Sequence, residues 1–323
     1  GAPTLRDMNN SRRLLVSADD IGLSKGNTDT ILEGVDVGAL TNVSILPNGP
    51  AFGYAVEELK KRLGTVRVCA HLNLTEGRPL SSAHEVSLLV RSDSTFKGTG
   101  ALARLYMFGS KRKRAQLRKQ ISQELSIQMK RVQDAKLSNE GLWVDGHQHV
   151  HMLPFVFEEL VRLKKHFPIT HIRIPNEPLS LHWPFRYFIK HIFTHTVGGG
   201  YILALLGIYG RRLARKAGIA TNDWFVGVRY AGRMSAAATE SGLRAIVASG
   251  EGGETELLFH PGEALSSEVL EWSGDCHWHF SPWRTKERAY LMSEHARVLY
   301  EEFRAGTLLP GTNLDKILRY IIS

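Results

Sequence analysis

Cysteine is nearly absent from this chain: its 323 residues include two, Cys69 and Cys276. With no paired spacing they suit neither a cysteine metal site nor a disulfide framework, and point to reduced thiols in a cytosolic protein. No apolar run reaches the ~18 residues a membrane span needs. Gly1-Ala2-Pro3 is followed by no basic-then-apolar leader pattern. Acid is missing from two long stretches. Ser94–Gln123 holds Lys97, Arg104, Lys111-Arg112-Lys113-Arg114, Arg118 and Lys119, and Pro178–Asn222 holds Arg186, Lys190, Arg211, Arg212, Arg215 and Lys216. These gaps localise the net charge of +9, from 41 basic and 32 acidic residues. Nucleic acid, an anionic lipid surface and plain solvent are the partners such segments suit. Nucleic acid is not expected, because no recognition helix or base-stacking sheet is evident. Phosphate-loop chemistry is not expected either, since Gly198-Gly199-Gly200 lies inside an apolar segment and opens no helix after a strand.

What is present is an ordinary globular composition, 43% hydrophobic and 23% charged. Short apolar strands are predicted at 13–18, 41–46, 66–70, 141–144, 170–174 and 256–259. Between and after them fall helical stretches at about 27–38, 54–63, 113–137, 154–166 and 285–304. The alternation predicts an α/β fold with a parallel sheet, an open sheet or a (β/α) barrel, incomplete or distorted, with strands buried on both faces. One domain over 1–323 is expected, with insertions at about 81–110 and 178–222.

The chemistry-bearing residues cluster at the ends of these strands. Asp19 and Asp20 follow the first, His71 the third, Asp145 and His147 the fourth, Arg173 lies on the fifth and His260 follows a late one. The C-terminal edge of such a sheet is where α/β active sites form. A carboxylate with two imidazoles fills three metal positions and leaves room for water. A further carboxylate and a histidine supply the base and acid of amide hydrolysis. Metal-dependent phosphoesterase chemistry would call for more carboxylates, and a non-catalytic barrel would not need both Asp19 and His260.

Four motifs resemble one family: Ser17-Ala18-Asp19-Asp20-Ile21-Gly22, His71-Leu72-Asn73-Leu74-Thr75-Glu76-Gly77, Asp145-Gly146-His147-Gln148-His149-Val150-His151 and Phe259-His260-Pro261-Gly262. They are similar, in order, to the YdjC-like carbohydrate deacetylases. The resemblance implies removal of acetyl groups from N-acetylated sugars on a barrel-like scaffold with one divalent metal, Zn2+ or Mg2+. It implies Asp20, His71 and His147 as ligands, Asp19 as base and His260 as acid. Asp145, Arg173 and His151 would orient substrate or support the ligands. A His147–His151 pair on one helix is the alternative ligand arrangement.

The stretch from Val197 to Tyr209 is apolar and flanked by aromatic and basic residues, and Leu105-Tyr106-Met107-Phe108 before Lys111 repeats the combination. Both read as segments for an anionic membrane surface, through 186–216 and 104–119. A hydrophobic hairpin packed on the barrel, or a homo-oligomer interface, is the other reading. Residues 212–223 also resemble hopanoid-associated members, which points to a lipid-linked N-acetyl sugar at the cytosolic face of a membrane. A soluble oligosaccharide substrate stays open.

Overall fold

The computed structural model describes residues 12–178, 195–262, 272, 279 and 281–311. In chain order these form β1 (Arg12–Ile21), α1 (Lys25–Asp36), β2 (Asn42–Ile45), α2 (Phe52–Lys60), β3 (Arg67–Leu72), α3 (Thr99–Phe108) and α4 (Lys111–Asp134). There follow β4 (Leu142–Gly146), a 3-10 turn (His147–Met152), α5 (Pro154–Leu163), β5 (Ile169–Ile172), α6 (His195–Lys216) and β6 (Trp224–Val226). The last elements are α7 (Ala236–Ser249), β7 (Gly253–Phe259), α8 (Trp283–Leu291) and α9 (Glu294–Ala305). The seven strands are all parallel, in the order β5-β4-β3-β2-β1-β7-β6. The two edges are bridged by one short segment. Ala220 pairs with β5 at His171, and four residues later Trp224 begins β6 on β7. Between them the Asn222 side chain accepts from Ile174 N at 2.7 Å and donates to Ile174 O at 2.8 Å, as a strand neighbour would. The sheet is therefore barrel-like, as expected.

Most strands have two unlike faces; β6, Trp224–Val226, is apolar throughout. Outward residues such as Val16, Ala18, Val43, Ile45, Val68, Ala70, Val144, Ile172, Leu257 and Phe259 join one hydrophobic cluster with the helices. Burying each large apolar side chain contributes about 1.5–3 kcal/mol. Most inward residues are polar, and the register stacks them into rungs. Ser17 pairs with Asn42, Cys69 with Trp143 and His71 with Asp145. Across one rung Asn42 donates to Ser17 Oγ at 2.9 Å and Cys69 donates to Asn42 Oδ1 at 3.2 Å. Both faces are buried, as predicted, but the inner one is hydrogen-bonded rather than apolar.

α6 is the crossover helix between β5 and β6. Gly207 and Gly210 let it lie against the barrel: a Cβ on Gly210 would stand 3.0 Å from Phe157 and 3.3 Å from Ile174. The acid-free 178–222 stretch thus includes a helix of the α/β alternation; residues 179–194 lie outside the described residues. Within 81–110, Val86, Leu89, Val90, Phe96 and Leu102 are buried in the main cluster. The helix expected over 285–304 is two helices, because Ser293 turns the chain and caps α9 by accepting from Ala296 N. Sequence periodicity missed α3, β6 and α7. Among the described residues, no helix is long and apolar enough to cross a membrane.

Candidate metal centre and active site

β1 delivers two adjacent carboxylates to the same mouth of the barrel. Successive strand residues normally face opposite sides, but Asp20 has φ 71° and the β1–β2 register shifts between Ala18 and Ile21. A left-handed backbone at a non-glycine residue is costly. Here it brings the Asp20 carboxylate beside the inward-facing Asp19. His71 arrives near the end of β3, and His147 opens the turn after β4.

Three atoms converge. Asp20 Oδ1 lies 3.0 Å from His147 Nδ1 and 3.5 Å from His71 Nε2, and the two ring nitrogens are 3.3 Å apart. The outer nitrogen of each ring faces a carboxylate: His71 Nδ1 is 2.7 Å from Asp145 Oδ1, and His147 Nε2 is 3.1 Å from Glu76 Oε2. With ring protons donated outward, the inner nitrogens present lone pairs toward a carboxylate oxygen. Asp20 Oδ1 is buried and has no partner in hydrogen-bonding geometry. Metal–ligand bonds of about 2.1 Å place adjacent ligand atoms about 3.0 Å apart in an octahedron and about 3.4 Å apart in a tetrahedron. The residues present fit a single divalent cation.

Electrostatics agree with geometry. Burial opposes an imidazolium at His71, but the carboxylates of Asp19 and Asp145 outweigh it and push the ring up to about 10. At His147 burial is likewise overcome, by Asp20 and Glu76, and the ring rises to about 9. Burial works against the Asp20 anion too, yet His147 and Arg284 hold its carboxyl well below the usual range. With protons alone the pocket holds two positive charges, so its field favours a cation.

Beneath this cluster lies a buried ion network. Arg173, from the end of β5, grips Asp19 through both oxygens at 2.8 and 3.0 Å and reaches Asp145 at 2.9 Å and Glu256 at 2.7 Å. Ser44 donates to Asp145 Oδ2 at 2.6 Å, and Ser17 to Glu256 Oε1 at 2.7 Å. Burial would raise the Asp19 carboxyl, but Arg173 and His71 prevail and hold it far below the usual range. Asp19 is thus an ionised carboxylate of fixed orientation, 3.8 Å from His71 Nε2.

His260 follows β7, whose Phe259 pairs with Ala18, beside the two aspartates. Its backbone N–H donates to Glu287 at 2.5 Å. Burial pushes its ring down to about 4, against the pull of Asp20 and Asp19. His151 turns away from the cluster, its Nε2 2.8 Å from the Arg173 carbonyl oxygen. A His147–His151 helical pair is not formed. The turn is 3-10, with Gln148 and His149 at φ 52° and 54°, and so lacks α-helical i,i+4 spacing.

Sequence reasoning missed Glu76, Trp272, His279, Arg284, Ser44 and Glu256. Glu76 and Ser44 stood inside or beside recognised segments but showed no strand-end signal of their own. Glu256 lies mid-strand, and the other three come from beyond the last motif.

The YdjC-like protein family matches residues 13–302 of the chain. The chain belongs to the YdjC-like family. It is similar to the mouse (Mus musculus) carbohydrate deacetylase, 31% identical over 260 residues that cover 77% of this chain and 78% of that one. The human (Homo sapiens) carbohydrate deacetylase is 30% identical over 77% of this chain and 75% of its own. A chitooligosaccharide deacetylase of Salmonella schwarzengrund is 34% identical over 47% of this chain and 55% of its own length. Among solved structures, an Enterococcus faecalis V583 protein described as a cellobiose-phosphate cleavage protein superimposes with TM-score 0.66. The match covers 95% of this chain and 99% of that one; at 18% identity it speaks for the fold. In this YdjC-like chain the Asp20–His71–His147 convergence and the Arg173-held Asp19 both lie within the family match.

Proposed function

We propose that this chain is a carbohydrate N-deacetylase, a hydrolase that removes the acetyl group of an N-acetylated amino sugar. The observation that carries the reading is the convergence of Asp20 Oδ1, His71 Nε2 and His147 Nδ1 beside the ionised Asp19. The deacetylase names of the relatives point the same way. Asp20, His71 and His147 would hold one divalent cation, Zn2+ or Mg2+. That cation, when bound, supplies Lewis acidity for the acetyl carbonyl and for water. Asp19 takes the proton of the attacking water; the Arg173 fork keeps it ionised and aimed. His260 rests neutral at pH 7, so it receives the water proton from Asp19 as the amide is attacked and passes it to the departing nitrogen. The balance is one water and one amide in, one acetate and one protonated amine out. Acetate release from an N-acetylglucosaminyl oligosaccharide tests the reaction; phosphate release from sugar phosphates without acetate would refute it. His260→Ala should lower turnover about 100-fold or more while the cation stays bound, and intact turnover would remove His260 from the mechanism.

The sugar is proposed to be presented on an anionic lipid surface. Tyr106 of α3 and Tyr209 of α6 flank one ion pair: Arg118 donates to the Tyr106 hydroxyl at 3.5 Å and to Glu158 at 2.6 Å, and Tyr209 donates to Glu158 at 2.7 Å. The exposed side chains next to those tyrosines therefore share one side of the molecule: Phe108 at 82%, Leu205 at 69%, Met107 at 59% and Ile208 at 54%. Beside them a cavity of about 640 Å³ is lined by Lys97, Arg104 and Lys113 without a carboxylate. Apolar side chains ringed by cations suit a headgroup layer. Co-sedimentation with anionic but not zwitterionic vesicles is expected; Phe108→Ser with Leu205→Ser should abolish it. Concentration-dependent dimerisation lost in that variant, without vesicle binding, would assign the surface to a second copy.

A further inference from the structure

The C-terminal segment reaches back to the metal centre through three side chains that no strand end supplies. Arg284, on α8, donates to Asp20 Oδ2 at 3.2 Å, to His279 Nδ1 at 3.1 Å and to Asn27 Oδ1 at 3.3 Å. A guanidinium only donates, so His279 Nδ1 accepts and the ring proton sits on Nε2. That Nε2 lies 2.9 Å from Glu76 Oε2, which also accepts from Trp272 Nε1 at 2.9 Å and faces His147 Nε2 at 3.1 Å. The second oxygen, Oε1, accepts from Gln148 at 2.6 Å.

Glu76, His147 and His279 bring three ligand atoms within 4.8 Å of one another and could be taken for a second cation site. The hydrogen-bond directions argue otherwise. Glu76 Oε2 faces N–H donors from Trp272 and His279, and the His279 lone pair is turned toward Arg284. This carboxylate is a hub for donors.

We propose that Arg284, His279 and Glu76 form a positioning arc that aims two of the three cation ligands at once. One end fixes Asp20 by its outer oxygen, leaving Oδ1 toward the cluster. The other end takes the outer N–H of His147, leaving Nδ1 toward the same point. The arc rests on the reading of Asp20, His71 and His147 as ligands. It links two segments more than two hundred residues apart in sequence to one coordination geometry, and it makes these residues positioning groups, not ligands.

Co2+ titration of the chelator-treated full chain, followed by visible absorption, tests the arc, with the thermal midpoint of each metal-free variant measured alongside. Glu76→Gln, His279→Ala and Arg284→Lys should each weaken Co2+ affinity about 10–100-fold, the usual loss when a partner behind a ligand is removed. His279→Gln, whose amide offers a donor near the lost Nε2–H, should recover part of that loss while His279→Ala does not. Because the three act as one unit, the His279→Ala, Arg284→Lys double variant should lose much less than the product of the single losses. Wild-type affinity in all three single variants would overturn the arc while leaving the ligand set intact. Affinity losses that track lost thermal stability, with no rescue by His279→Gln, would overturn it as well. A wild-type chain that takes up no Co2+, Zn2+ or Mg2+ would instead overturn the ligand reading beneath it.

Discussion

The two histidines of the metal centre are held by different kinds of surroundings. His71 stands inside the barrel, and its outer nitrogen meets Asp145, which is tied to Ser44 and Arg173 and through Arg173 to Asp19 and Glu256. Every group in that chain comes from a strand or its immediate end. His147 stands at the rim, in a turn with two left-handed residues, and its outer nitrogen meets Glu76 on a loop. Glu76 is held by Gln148, Trp272 and His279, from segments that form no strand. The inner wall is rigid because sheet register fixes it. The rim is assembled from loops, whose geometry can be altered without disturbing the sheet.

The largest expected effect separates the two walls by stability. Asp145→Ala removes one partner of a fully buried ion network and leaves His71 Nδ1 and the Ser44 hydroxyl without their acceptor. A loss of about 3–5 kcal/mol in denaturant unfolding is expected. Glu76→Ala should cost about 1–3 kcal/mol, the price of unpaired donors near solvent. Equal losses would break the contrast.

A smaller effect sharpens it by pH. Both rings have folded values above the ordinary 6.5, about 10 for His71 and about 9 for His147. Their contribution to the metal-free chain is therefore complete below pH 6.5 and is lost as pH rises through those values. The rim histidine should release its proton first, which NMR titration of the two imidazoles would read. A bound cation replaces these protons, so the thermal midpoint gap between loaded and metal-free protein should widen from pH 6.5 to 9. The direction of that change is fixed by the two raised rings, and a constant gap would contradict proton–cation exchange at this cluster.

The same contrast explains what could be read from sequence. Asp19, Asp20, His71, Asp145 and Arg173 were visible because each sits near the end of an apolar strand, and parallel strands deliver their ends to one place. His260 was visible for the same reason. Glu76 was not assigned, since its importance comes from a loop that doubles back after β3. His279 and Arg284 were invisible, because nothing local in sequence says that the chain beyond Gly262 returns to the mouth of the barrel. The polar inner rungs were also missed: Ser17, Asn42 and Cys69 look like interruptions of apolar strands until barrel closure gives them one another as partners. In α6, glycines that look like helix breakers are the points of close approach to Phe157 and Ile174.

The smallest expected effect lies at Gln148. Its φ of 52° is unfavourable for a side chain bearing a Cβ, while its amide donates to Glu76 Oε1 at 2.6 Å. Gln148→Gly relieves about 1 kcal/mol of backbone cost and removes a charge-assisted hydrogen bond of comparable worth on an exposed group. Thermal stability should therefore stay within about 0.5 kcal/mol of wild type, whereas cation affinity should fall by less than tenfold, because Glu76 keeps its Trp272 and His279 donors. A large loss of stability would mean that this rim residue is bound into the barrel as firmly as Asp145. A loss of affinity as great as that of Glu76→Gln would mean that Gln148, rather than the arc from Arg284, sets the aim of His147.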